Sequence, residues 1–341
     1  MIGRRARVLP WLAVAALLGC ARPSRGTEPP PRATVEPLSL ALVGEGGGAL
    51  ADRGALDRLL EAPEVTAAGQ RLLARLADDP ALEPLYRGFM ADLLQQPALL
   101  EAMAAMAARS PGLSIDELSA QVVTRLSEGI DGPVFDAALD GSLDRLLDQP
   151  SVDAAFGRLT SALIDRARLS ERLSALLRQW QPELEAAVGV PMSDDRFLER
   201  FEAHVSAPQR SARLRELLRA RVEEQPRIRQ GLAALLDDEA FFRACAHLLQ
   251  RVLESPGFEA NTTAIFAGML EQVDLAQMRQ RVDRVLVTPE IERAVVAWVE
   301  EVIASEALTT LADQLGAVLD DPHLQAELFD VLVGASAGPT A

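Results

Sequence analysis

Lysine is absent. All 34 residues counted as Lys+Arg are arginine, set against 50 Asp+Glu for a formal net charge of −16. A nucleic-acid binder needs a basic footprint, and this balance argues against one. Heavy alanine and arginine use without lysine reads as codon bias, not as an arginine-specific activity. Aromatic residues are scarce: 10 Phe, 3 Trp and a single Tyr. Strands favour aromatic and β-branched side chains, so a large β-sandwich or barrel is excluded. Two cysteines permit at most one disulfide, and three histidines leave little material for a metal cluster. Disorder throughout is excluded as well, because 49% of the residues are hydrophobic. At 341 residues the chain can build one large core or two ordinary ones.

Long hydrophobic runs are missing too, and the one near the start is informative. Arg4, Arg5 and Arg7 precede an apolar stretch from Val8 to Leu18. A bilayer span needs about 20 apolar residues, so this stretch is too short to cross, but it suits the apolar region of an export signal. It ends in Leu17-Leu18-Gly19-Cys20. This run resembles the lipobox of bacterial lipoproteins: an aliphatic residue, a tolerant position, a small residue and a cysteine. The resemblance implies cleavage after residue 19 and acylation of Cys20, including palmitate-type chains. Several acyl chains hold a protein on a membrane where one alone holds it marginally. Cleavage would remove three arginines and no acid, making the mature chain more acidic still. Ala21 follows the cysteine where an inner-membrane retention signal would carry aspartate. The expected location is therefore the cell envelope, at the outer membrane facing the periplasm in a Gram-negative cell.

Residues 20–37 are rich in proline and polar side chains and read as a tether. In extended form, at about 3 Å per residue, it could lift the body some 50 Å off the membrane. Residues 38–50 pass from an apolar run into Gly44-Glu45-Gly46-Gly47-Gly48-Ala49. Taken literally, this is a phosphate-binding turn between a strand and a helix. Such a fold needs further parallel strands, and none is legible. The segment reads as a glycine-rich hinge.

From residue 51 to 334 one pattern recurs. A leucine-rich helical stretch ends, two polar residues intervene, and a proline opens the next stretch. Pro63, Pro80 and Pro97 stand 17 residues apart; Pro256, Pro289 and Pro322 stand 33 apart. Pro150 and Pro226 follow similar lead-ins, and Glu239 takes the proline's place after Asp237-Asp238. Proline fits the first helical turn, where its missing N–H would have no partner. Asp79, Ser255, Thr288 and Asp321 stand just before it as candidate caps. Ser114-Ile115-Asp116-Glu117 is a capping box. Apolar residues keep the helical period, as in Ile291, Ala294, Val295, Trp298, Val302 and Ile303, which makes Trp298 a core candidate. The spacing predicts an all-α body of short proline-started helices. An irregular helical bundle and a degenerate α-solenoid both fit, with possible seams near 110 and 190. Residues 335–341 read as a flexible tail.

Motifs with chemical potential find no setting. Cys245 and His247 lie two apart on a helical stretch, so they point away from each other and make a poor metal pair. Cys245 reads as a small buried hydrophobe. His204, His247 and His323 have no metal-spaced companion and read as surface or helix-end residues. Gly334-Ala335-Ser336-Ala337-Gly338 spells a nucleophile elbow, but a helix precedes it where a strand is required. The pairs Asp78-Asp79 and Asp320-Asp321 read as helix caps, lacking the spaced acids of a calcium loop. Asn261-Thr262-Thr263 is a glycosylation triplet by spelling only. No cofactor is implied. The leading expectation is a lipid-anchored envelope protein that acts as an interaction or scaffold module for a protein partner. A lipid-binding or membrane-surface protein comes second, and an enzyme with an unrecognised site third.

Overall fold

Seven helix starts each place one apolar side chain in a core. The residue two positions after the starts at Pro63, Pro97, Pro150, Pro226, Glu239, Pro289 and Pro322 is Val65, Leu99, Val152, Ile228, Phe241, Ile291 and Leu324 in turn, and all seven are buried. Leu93, Leu146, Leu235 and Val285, four residues before a start, are buried as well. The chain is thus pinned on both sides of these turns, and the pairs between, such as Gln95-Gln96 and Asp237-Asp238, are half-buried or exposed. That arrangement explains why the punctuation recurs.

The computed structural model describes residues 61–93, 95–109, 114–224 and 226–334. These form 17 helices and no strand. In chain order they are α1 (Pro63–Ala77), α2 (Glu83–Leu93), α3 (Pro97–Arg109), α4 (Ile115–Ile130), α5 (Pro133–Leu147), α6 (Pro150–Arg166), α7 (Leu169–Gln179), α8 (Gln181–Val188), α9 (Phe197–Val205), α10 (Pro208–Glu224), α11 (Pro226–Asp237), α12 (Glu239–Leu253), α13 (Phe258–Glu271), α14 (Leu275–Leu286), α15 (Pro289–Ala304), α16 (Ala307–Leu319) and α17 (Pro322–Leu332). The fold is all-α. The lipobox cysteine Cys20, the tether, residues 38–50, the 110–113 seam and the tail 335–341 lie outside the described residues.

The caps follow local chemistry. Ser114 Oγ accepts the Glu117 amide at 3.3 Å, and the Glu117 carboxylate accepts the Ser114 amide at 2.8 Å, completing the capping box at α4. Thr288 accepts the Ile291 amide and Asp321 the His323 amide. Two proline starts depart from the expectation. Pro80 lies in a turn and α2 begins at Glu83, with Asp79 accepting the Ala81 amide on its side chain. Pro256 opens no helix: Gly257 takes a left-handed conformation, φ 78°, and α13 begins at Phe258. Ser255 there donates its hydroxyl to the Val252 carbonyl and leaves the next helix uncapped by its side chain. Pro133 and Pro208, which stand between Pro97 and Pro226, also open helices, α5 and α10.

The chain divides into two units, each discontinuous in sequence. The first takes Gln70–Phe156 and Glu239–Ala304. Its main pairings are α5 on α14, α12 on α15, and α13 against α3, α4 and α14. One apolar cluster joins Leu99, Met106 and Val122 to Ala267 and Leu270; another joins Ala138 to Ile265, Met269, Met278 and Val282. Trp298 is 1% exposed and meets Phe156 and Phe241 edge to face, with ring centroids 6.5 and 6.1 Å away. Across α5 and α14, the buried Ser142 donates toward Asp283 Oδ1 at 2.7 Å, and Arg145 Nη2 reaches the same oxygen at 2.6 Å.

The second unit takes Gly157–Asp238, residues 305–334 and the start of α1. α11 packs on α16, and α10 on α17. Its core gathers Leu173, Leu177, Trp180, Phe197, Phe201, Leu214, Leu324 and Leu328. Gly316 admits a close approach: a methyl group there would stand 2.7 Å from the Ala167 carbonyl oxygen. Val188–Ser193, the expected seam near 190, lies inside this unit. A solenoid stacks each repeat on its neighbours. The Ser142–Asp283 bond spans 141 residues of sequence and the Gln96–Glu259 bond 163, so the first unit is a bundle built from distant segments.

Candidate interaction site

Two turns of the first unit make a cleft. In the first, α4 ends at Ile130, Asp131 bonds back through its amide to Ser127, and Gly132-Pro133 opens α5. In the second, α13 ends with Gln272 in the left-handed region, φ 57°. The Val273 amide bonds the Gly268 carbonyl at 3.1 Å, closing a Schellman turn with glutamine where glycine is usual. Asp274 then caps α14 by accepting the Gln277 amide at 2.8 Å. Neither turn is unusual alone. Their meeting leaves a concavity of about 230 Å³.

The lining is apolar with a charged margin. Val134, Phe135, Met269, Val273 and Met278 form the wall, with Arg125 and Glu128 from α4 at its side. Gly129 lets Met269 in, since a methyl there would sit 2.8 Å from the methionine Cβ and Cγ. Val134 is 39% exposed, as is Leu275, two residues beyond Val273. Arg125 and Glu128 enter no ion pair among the described residues. Methionine is unbranched and polarizable, so such a wall adapts to a partner's shape. A cleft of this kind can take one apolar side chain and offer a charge at its edge.

A wider open groove of about 400 Å³ lies near the end of α1, lined by Arg75, Asp78, Asp79, Pro80 and Phe242. Its cation is already engaged: the Arg75 guanidinium lies 4.1 Å over the Phe242 ring and pairs with Glu239. A third cluster joins α12 to α15. Glu301 accepts from Arg251 and lies 3.0 Å from His247 Nδ1. Burial works to raise the Glu301 carboxyl, but the Arg251 and His247 hydrogen bonds outweigh it and hold it below the usual carboxylate range.

No family model, curated protein or solved structure matches the chain. The site is read from its own chemistry.

The sequence candidates scatter through the fold. Cys245 is buried on α12, 6% exposed, and burial pushes its thiol up to about 12. Below that pH it stays protonated, and the thiol form is a poor nucleophile. Native protein should therefore resist thiol-specific alkylation at pH 8 and react only on unfolding; rapid labelling of the folded protein at Cys245, seen by peptide mass, would contradict this. His247 is exposed on the same helix and turns to Glu301, so the Cys245–His247 pair is not assembled. His204 donates from Nε2 to the Leu332 carbonyl at 2.8 Å and accepts from Arg210 at Nδ1, at 3.2 Å. His323 sits exposed at the start of α17. Asn261 donates to the Arg284 carbonyl at 3.0 Å. Gly334 lies just past Val333, the C-cap of α17, and the rest of its motif lies outside the described residues. Among the described residues no three His, Cys, Asp or Glu side chains converge to hold a metal ion, and no helix is long and apolar enough to cross a membrane.

Sequence reasoning missed the cleft. Its two turns are about 140 residues apart, and each reads as an ordinary helix connection. Gln272, a non-glycine residue in a left-handed turn, has no sequence signal at all.

Proposed function

We propose that this is a lipid-anchored protein of the bacterial cell envelope whose helical body acts by binding a protein partner. The leader ending in Leu17-Leu18-Gly19-Cys20 supports the anchor, and the proline-rich segment after it supports a reach of tens of ångströms. Ala21 supports the outer membrane, facing the periplasm in a Gram-negative cell. A tethered binding surface meets a nearby partner at high effective concentration, so a modest contact suffices.

The observation that carries the binding role is the cleft between α4, α5, α13 and α14. It combines exposed Val134, a wall backed by the buried methionines Met269 and Met278, and at the margin Arg125, which enters no ion pair among the described residues. Aromatic residues, Met and Arg are the types enriched in protein interfaces, and a pocket filled by one partner side chain is the usual form of an energetic hot spot. The occupant that fits is a protein segment presenting a Leu, Met or Phe side chain.

A photo-crosslinking residue at Val134 tests this in intact cells. One recurring adduct of fixed mass is expected, and Val273→Asp, at the half-buried rim of the cleft, should reduce it at least about tenfold while leaving the helical circular dichroism unchanged, as loss of a hot spot does. The same residue at exposed Arg87, on α2, should give no such adduct. Equal crosslinking at both positions, or an adduct indifferent to Val273→Asp, would remove the cleft as the contact.

A further inference from the structure

A guanidinium that gives up part of its hydration needs an acceptor in return. Eight arginines are half-buried among the described residues. Arg75, Arg172, Arg229, Arg251 and Arg281 each hold a carboxylate. Arg166 donates to the Ser305 carbonyl at 2.8 Å, and Arg210 reaches His204 Nδ1 at 3.2 Å. Arg125 is the eighth, and it forms no hydrogen bond or ion pair among the described residues. It is also the one that lines the cleft between α4, α5, α13 and α14.

An acceptor stands close to it in the chain. Glu128 lies three residues on and is exposed. Arg168 and Glu171 have the same order and spacing, and they pair at 2.6 Å. Arg125 and Glu128 do not pair; both line the cleft instead. The cleft therefore joins an apolar wall to a cation without an acceptor. At about 230 Å³ it is smaller than the usual small-molecule pocket of about 300–1,000 Å³, which favours side chains of a protein over a free ligand.

We infer that Arg125 selects the partner: the protein segment that enters the cleft carries an Asp or Glu beside its apolar residue, and that carboxylate bonds the Arg125 guanidinium. This specificity rests on the cleft being the contact proposed above. The charges are complementary, and the guanidinium fork can take a carboxylate through two parallel bonds. A segment with the apolar residue but no acid would cover Arg125 and leave it unpaired. Leaving a charge in that state is costly, so the arginine discriminates between segments that the apolar wall alone would accept equally. Glu128 opposes the same carboxylate, but it is exposed and its effect is small.

The test keeps the photo-crosslinking residue at Val134 of the full-length protein in intact cells. Arg125→Gln should cut the adduct at least about tenfold, the loss expected for a hydrogen bond between charged groups. The melting temperature should not move, because Arg125 makes no bond among the described residues. Glu128→Gln should raise the adduct about twofold, the size of an exposed charge effect. Opposite signs one turn apart separate charge recognition from damage to α4. The crosslinked peptide should hold an Asp or Glu beside an apolar residue. Replacing that acid by arginine in the partner should abolish the adduct, and Arg125→Glu should then restore it. An adduct that Val273→Asp removes but Arg125→Gln leaves whole would overturn the selection by Arg125 and keep the cleft as the contact. A crosslinked peptide without the acid, or a charge exchange that restores nothing, would overturn it as well. Absence of any adduct at Val134 would remove the contact and the selection together.

Discussion

Trp298→Ala should lower the unfolding free energy by about 3–5 kcal/mol, the range for deleting a large buried aromatic. The indole is 1% exposed and touches Phe156 and Phe241 edge to face, so its removal opens a cavity between two rings on different helices. Ile291, Ala294, Val299 and Val302 on the same helix are buried too and cannot all move to fill it. One term works the other way. The indole N–H leans on the Cys245 sulfur, a weak acceptor, and makes no full hydrogen bond there. Losing that donor therefore costs little. Trp298→Phe should cost less than Trp298→Ala, since phenylalanine keeps a ring at the site and carries no N–H to satisfy. Urea denaturation followed by circular dichroism reads both variants. An unchanged midpoint for Trp298→Ala would contradict the packing described.

Cys20→Ser should abolish acylation altogether. A serine hydroxyl cannot form the thioether that the lipobox resemblance implies, and an uncleaved leader should remain on the chain. Palmitate labelling should fall to background, and intact mass should show residues 1–19 retained. The loss should be complete, because one atom carries the whole modification. A Cys20→Ser protein that is still processed after residue 19 and still fractionates with membranes as the parent does would sink the anchor and the envelope location together. Folding should be unaffected, since Cys245 is a free buried thiol with no partner to lose.

These two residues mark opposite ends of what can be read from the chain. Trp298 was legible as core because the apolar period around it is helical over more than two turns, and a stripe of that width must be buried somewhere. The Ser114–Glu117 capping box was legible for the same kind of reason: both hydrogen bonds are made within four residues. Pro256 was misread. Whether a proline opens a helix depends on the residue after it, and Gly257 adopts a left-handed turn that proline spacing cannot anticipate. The cleft beside Val134 was invisible for a different reason. Met269 reaches it only because Gly129, 140 residues earlier, has no side chain to block the way.

What the chain alone determined is whatever closes over a few residues. That covers the all-α character, eight of the 17 described helix starts and the buried fate of Cys245. Helix caps, apolar periods and the scarcity of aromatic residues act locally, so a linear reading recovers them. What the tertiary structure decided is which helices meet. α5 pairs with α14 and α12 with α15, and the chain returns from residue 239 to complete a unit begun at residue 70. No local period encodes those pairings. An amphipathic helix requires an apolar partner but does not name it, and the choice falls to shape: a glycine that admits Met269, a serine small enough to sit buried against Asp283, and a tryptophan held between two phenylalanines.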